Sequence, residues 1–119
     1  MADNLIADHI KGDTWDGFKF KIEDETEVNS GVYEPRNLTG CVIIAQFKKE
    51  PNGTVVFEFK TSDNTITIPT PANGEFILMP RIVDVPATTY VFDVQITYPN
   101  GVVESFDPEY WRITQDVSR

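Results

Sequence analysis

Cysteine and histidine are almost missing from this chain, which has one of each, Cys41 and His9. A lone cysteine excludes an intramolecular disulfide, a multi-cysteine metal site and a dithiol redox pair. One cysteine and one histidine also fall short of the four ligands of a structural zinc site. A hydrolytic triad needs a base beside a nucleophile, and His9 falls in an expected N-terminal arm, residues 1–11, outside the sheets. Cys41 reads as a small buried apolar residue at the start of a strand. Catalytic, cofactor-binding and metal-ligating residues are therefore expected to be none.

Positive charge is also scarce. Ten Lys and Arg stand against nineteen Asp and Glu, a formal net charge of -9, which repels a phosphate backbone and disfavours nucleic-acid binding. There is no glycine-rich phosphate loop. No run approaches the ~18 apolar residues that cross a bilayer, and MADNLIADHIKGD lacks the basic and apolar regions of a signal peptide. The expectation is a chain made in the cytoplasm with no membrane partner. Helical periodicity is nearly absent as well.

Period-two alternation fills the space. The 119 residues, 40% hydrophobic with eight Phe, four Tyr and two Trp, suffice for one packed domain of the usual ~100 to 150 residues. In GFKFKIE, Phe18, Phe20 and Ile22 share one face and Lys19, Lys21 and Glu23 the other, as along a half-buried strand. CVIIAQFKK places Cys41, Ile43, Ala45 and Phe47 together, and VVFEFK places Val55, Phe57 and Phe59 opposite Glu58 and Lys60. Pro51-Asn52-Gly53 between these runs is turn chemistry, so residues 41–60 read as a hairpin.

TITI (65–68) and EFILM (75–79) are further short strands, and Pro80 and Pro86 mark strand ends. TYVFDVQITYPNGVVES gives a second hairpin, with Tyr90, Phe92, Val94 and Ile96 inward, Asp93 and Gln95 outward, and the same Pro-Asn-Gly turn at Pro99–Gly101. Gly53 and Gly101 are both expected at positive φ. WRITQDV places Trp111, Ile113 and Val117 on one face. Short strands every ~8 to 12 residues predict an all-β antiparallel sandwich or barrel over residues 12–119.

Carboxylates and aromatics are the other candidate groups. Asp13, Asp16, Glu23, Asp24, Glu25 and Glu27 form an acidic excess without the spacing of an EF-hand calcium loop, and read as a solvated face. Trp15, Tyr33, Tyr98, Tyr110 and Trp111 offer either a sugar-stacking platform or fillers for the two mouths of a sandwich, the second being favoured. EDETEVNSGVYEPRNLTG, between the first long strand and Cys41, reads as an acidic loop. Its isolated Val28, Val32 and Tyr33, with Leu5 and Ile6 of the arm, are groups a plain linker does not need, so the loop (23–40) and the arm (1–11) are candidate docking elements, the alternative for the loop being a solvated insertion.

Read in order, Gly12-Asp13-Thr14, Leu38-Thr39-Gly40, Tyr90-Val91-Phe92-Asp93 and Asp116-Val117-Ser118-Arg119 span nearly the whole chain. In that order they resemble a family of small tailed-bacteriophage proteins. The likeness is greatest to the immunoglobulin-like N-terminal domain of phage baseplate upper proteins and related short neck or tail proteins. Asn37 stands where that pattern has Asp, and the loop before it is longer. Larger relatives carry a receptor-binding or trimerising region beyond the point where this chain ends, so the resemblance implies attachment or adaptor work. It implies a non-enzymatic virion protein of the tail, neck, baseplate or head-fibre assembly, partnered by other phage structural proteins and copies of itself. The alternative is a carbohydrate-binding β-sandwich that recognises a cell-surface glycan.

Overall fold

The computed structural model describes residue 6 and residues 8–50, 52–106 and 108–115. The protein is all-β. In chain order the strands are β1 (His9–Ile10), β2 (Thr14–Trp15), β3 (Phe18–Lys21), β4 (Glu23–Glu25), β5 (Tyr33–Pro35), β6 (Val42–Lys48) and β7 (Val55–Lys60). They continue with β8 (Ile66–Thr67), β9 (Glu75–Leu78), β10 (Arg81–Ile82), β11 (Thr89–Thr97), β12 (Val103–Ser105) and β13 (Glu109–Thr114). Two single 3-10 turns, Thr61–Asp63 and Pro71–Asn73, are the helical elements among the described residues.

The main sheet runs β1-β13-β11-β6-β7, and β12 pairs with the second half of β11. A second sheet runs β3-β9-β8, and two short ladders join β10 to β2 and β4 to β5. The long central strand β11 organises the core. Tyr90, Phe92, Val94 and Ile96 are buried, because alternation places all four on the face that meets β6 residues Phe47, Ala45 and Ile43 in register. The second sheet supplies Phe76, Leu78 and Ile66 to the same cluster, and β13 supplies Trp111 and Ile113. Val91, on the opposite face, is also buried, at 8% exposure, because Lys48 and Tyr110 lie directly across from it on the two neighbouring strands.

Several expectations need correction. His9 is not outside the sheets: β1 pairs with β13, and it does so in parallel, so the assembly is not wholly antiparallel. Ile6, in the expected arm, is 2% exposed. The acidic stretch after β3 is not a plain loop, since Glu23–Glu25 and Tyr33–Pro35 form a two-stranded ladder. Val55 does not share the face of Phe57 and Phe59. A bulge between Phe47 and Lys48 pairs Val55 with Lys48, and one extra residue flips every side chain beyond it. Val117, Pro51 and Asp116–Arg119 lie outside the described residues.

The two Pro-Asn-Gly turns differ in the same way. Gly101 donates to the Tyr98 carbonyl (2.8 Å) while Tyr98 N–H donates to Val102 O (2.8 Å). That three-residue hairpin loop needs a left-handed residue to resume the ladder, and Gly101 supplies it at φ 88°. Gly53 donates to Glu50 O (2.9 Å) but is not among the glycines at positive φ. Its turn opens into the bulged ladder, so no left-handed step is required there.

Two outcomes follow from this packing. Phe92→Ala should lose about 3–5 kcal/mol in denaturant unfolding through lost burial and the cavity left behind, whereas Gln95→Ala should stay within about 0.5 kcal/mol. Gly101→Val should cost about 2 kcal/mol because a β-branched residue is forced into the left-handed region. Gly53→Val should cost less than half of that, and equal losses at the two glycines would contradict the turn assignment.

Candidate functional site

The most distinctive local arrangement is the acidic hairpin β4–β5 and its attachment. β3 and β4 form a nearly continuous strand interrupted at Ile22. There the Ile22 N–H donates to Gly74 O (2.8 Å) and the Ile22 carbonyl accepts from Arg36 N–H (2.9 Å). The chain leaving β5 and the chain approaching β9 therefore meet against one residue of one strand. Gly74 makes the meeting possible: at φ 69°, a Cβ there would lie 2.4 Å from Ile22 O and 2.9 Å from Arg36 N, closer than any side chain can sit.

Arg36 then ties the hairpin to the main sheet. Its Nε donates to Asp24 Oδ2 (2.9 Å) and a terminal nitrogen grips Asp24 Oδ1. The other terminal nitrogen donates to Tyr98 Oη (2.8 Å) and to Glu104 Oε1, and Tyr98 O–H donates to the same Glu104 oxygen (2.7 Å). One planar guanidinium thus joins β4, the end of β11 and β12, a fork geometry that lysine does not offer. The hydrogen bond to Arg36 holds the Asp24 carboxyl below its ordinary range. The Asp24 hydrogen bond likewise holds Arg36 firmly protonated. Burial, with the Glu104 hydrogen bond second, pushes the Tyr98 phenol up.

The tip of the hairpin is ordered by its own bonds. The Glu25 carboxylate accepts from Asn29 N–H (3.2 Å) and Gly31 N–H (2.9 Å). Thr26 N–H donates to Val32 O (2.9 Å) and Ser30 N–H to Glu27 O (3.1 Å). Yet Val28 at the apex is 90% exposed, with Val32 at 56% and Tyr33 at 58%. The radius of gyration is 15.5 Å, against about 13.5 Å for a compact chain of this length, which fits an element that projects.

The other candidates fall elsewhere. His9 Nε2 bonds the Asp13 carbonyl (2.9 Å), and its ring tilts against Trp111 at 6.0 Å. Cys41 is buried and free, and burial pushes its thiol up. The six carboxylates do not converge: Asp24 goes to Arg36, Glu25 to backbone N–H groups and Glu23 to Lys21 at 3.9 Å. No group of three or more His, Cys, Asp or Glu is placed to hold a metal ion among the described residues. Trp15 and Trp111 are core residues, whereas Tyr33 and Tyr110 are exposed.

Two open depressions mark the surface. One of about 420 Å³ lies between Lys11, Asp84, Pro86 and Gln115, and one of about 210 Å³ crosses the outer face at Gln46, Lys48, Asp93 and Gln95. No helix among the described residues is long and apolar enough to cross a membrane. Sequence reasoning missed Arg36 altogether. Its partners lie 12, 62 and 68 residues away, and the one local signal is a single arginine closing an acidic run. No protein-family model and no curated protein matches the chain.

The Arg36–Asp24 bond has a pH signature. Because the folded Asp24 carboxyl is depressed, its contribution is present above the ordinary carboxylate value and is lost as pH falls through the depressed one. With the Asp24 side chain 50% exposed, screening keeps that contribution below about 1 kcal/mol. Carboxyl NMR should show Asp24 titrating below the ordinary aspartate value, and Arg36→Gln should raise it back to that value. An unchanged Asp24 titration in that variant would refute the tie.

Proposed function

We propose that this chain is an immunoglobulin-like sandwich that serves as a non-enzymatic structural module of a tailed-bacteriophage particle, an adaptor or attachment part of the tail, neck, baseplate or head-fibre assembly. The strand order supports the fold: β13-β11-β6-β7 corresponds to the G-F-C-C′ sheet and β3-β9-β8 to B-E-D of a variable-type sandwich. A tyrosine corner supports it too. Tyr90, at the start of the central strand, donates to the Pro86 carbonyl four residues upstream at 2.6 Å, as the corresponding tyrosine does in that architecture.

The described residues that carry the phage resemblance occupy structural positions. Gly12 and Gly40 turn the chain at φ 86° and 75°, and Leu38, Tyr90 and Phe92 are buried. The observation that carries the functional reading is the braced hairpin. A rigid arm with an exposed apolar tip suits a part whose work consists of contacts with neighbours, and its acidic flanks suit a partner surface of opposite sign. The glycan alternative is weakened by the burial of Trp15 and Trp111, which removes two of its five stacking candidates.

Mass spectrometry of purified particles should find the chain at a fixed copy number above one per particle. Its absence from intact particles would sink the reading.

A further inference from the structure

The geometry points to a saccharide-binding site on the outer face of the main sheet, in the depression of about 210 Å³ at Gln46, Lys48, Asp93, Gln95 and Ser105. Strand register builds it. Asp93 lies directly across from Gln46, and Gln95 directly across from both Ile44 and Ser105, so β6, β11 and β12 present these side chains on one face. Neighbours in this grid stand about 5 Å apart across strands and about 7 Å apart along them. The hollow falls where β11 changes partners. Its ladder with β13 stops at Phe92 and its ladder with β12 starts at Gln95, so among the described residues neither ladder includes Asp93.

The lining holds unused hydrogen-bonding capacity of both kinds. The side chains of Lys48, Asp93, Gln95 and Ser105 have no hydrogen-bond or ion-pair partner among the described residues. Gln46 donates one amide N–H to Glu58 Oε2 (3.3 Å), which leaves its carbonyl open. Gln46, Lys48 and Asp93 are nonetheless half-buried. The Lys48 ammonium and the two amides donate, the Asp93 carboxylate and the amide carbonyls accept, and the Ser105 hydroxyl does either.

Charge and polarity then select the ligand class. One cation and one anion leave the lining neutral in a chain of net charge -9, so neither an anion nor a cation is favoured. Ile44 is the one apolar side chain in the lining, too little for a ligand that binds by apolar enclosure. A neutral molecule with hydroxyls on adjacent carbons satisfies donors and acceptors together, and a sugar ring is such a molecule. Tyr110, 38% exposed and directly across from Val91 on β13, stands diagonal to Asp93 on the same face. An aromatic ring at that spacing is within reach of the depression and offers its apolar face to the C–H side of a sugar. Trp15 and Trp111 are buried elsewhere and do not line this depression, so their loss as platforms leaves it intact. The site goes beyond the structural role proposed above and does not depend on it.

The test is an amide NMR titration of the purified chain with four neutral probes, the tetrasaccharides of glucose, mannose, galactose and N-acetylglucosamine. At least one should shift the side-chain amide signals of Gln46 and Gln95 and the backbone signals of Asp93 and Ser105, with half-saturation at about 1 mM or below, the weak end of specific affinity. Asp93→Ala and Gln95→Ala should each weaken that binding about fivefold, the effect of one lost hydrogen bond, without lowering the melting temperature. Any of three results would overturn the inference: no shift with any of the four probes up to about 10 mM; binding undiminished in the D93A/Q95A double variant; or tighter binding of a galacturonate or glucosamine tetramer than of its neutral parent, which would assign a charged ligand. Absence of the chain from particles leaves the site standing, whereas a titration without shifts removes the site and leaves particle membership standing.

Discussion

The packing of Phe47 is the contact on which the rest of the structure depends. Its ring lies 4.5 Å from Phe57, 4.9 Å from Phe92, 5.3 Å from Trp111 and 5.7 Å from Phe59, so one residue of β6 touches three other strands of the main sheet. Trp15 then packs on Trp111 at 4.7 Å and on Phe59 at 5.5 Å, and Phe20 reaches Phe92 at 6.3 Å from the second sheet. No polar or charged residue is buried among the described residues. The sheets are held by apolar burial and ring geometry rather than by directed bonds.

A sheet built this way must still manage its edges. On β7, the Lys60 N–H donates to Thr65 Oγ1 (2.7 Å), which in turn donates to the Lys60 carbonyl (3.2 Å). The Glu58 carbonyl accepts from the Arg81 guanidinium (3.1 Å), which also lies 5.0 Å over the Phe59 ring. Side chains thus occupy backbone groups that a foreign strand would use. The opposite edge is made of β1, two residues long, and β12, three residues long. With both edges blunted, association by strand addition is discouraged.

At one end, the hairpin is fixed rather than tethered. Gly74 allows two chain segments to meet on Ile22, and Arg36 spans the hairpin and the main sheet. An arm held in place beforehand has less ordering entropy to lose in any contact it makes. A surface ion pair in isolation contributes little. Here its value lies in direction, since one guanidinium sets where the apolar tip points.

The elements were largely legible. Tyr90, Phe92, Val94 and Ile96 announce their common face by alternation alone, as do Ile43, Ala45 and Phe47, because side-chain direction along a strand is a local property. The Tyr98–Gly101 turn was readable for the same reason. What alternation could not supply was register and partnership. The face of Val55 depends on a bulge opposite β6, the strand role of His9 on β13, and the grip of Arg36 on residues 12, 62 and 68 positions away. The acidic run showed composition but no period, so its hairpin was invisible until Ile22, Arg36 and Gly74 were brought together. The sequence by itself determined that residues of the long strands β6 and β11 are extended and which way their side chains face, through local sterics. Only the tertiary structure decided which strands are neighbours and where the hairpin projects, because those depend on contacts between residues far apart in the chain.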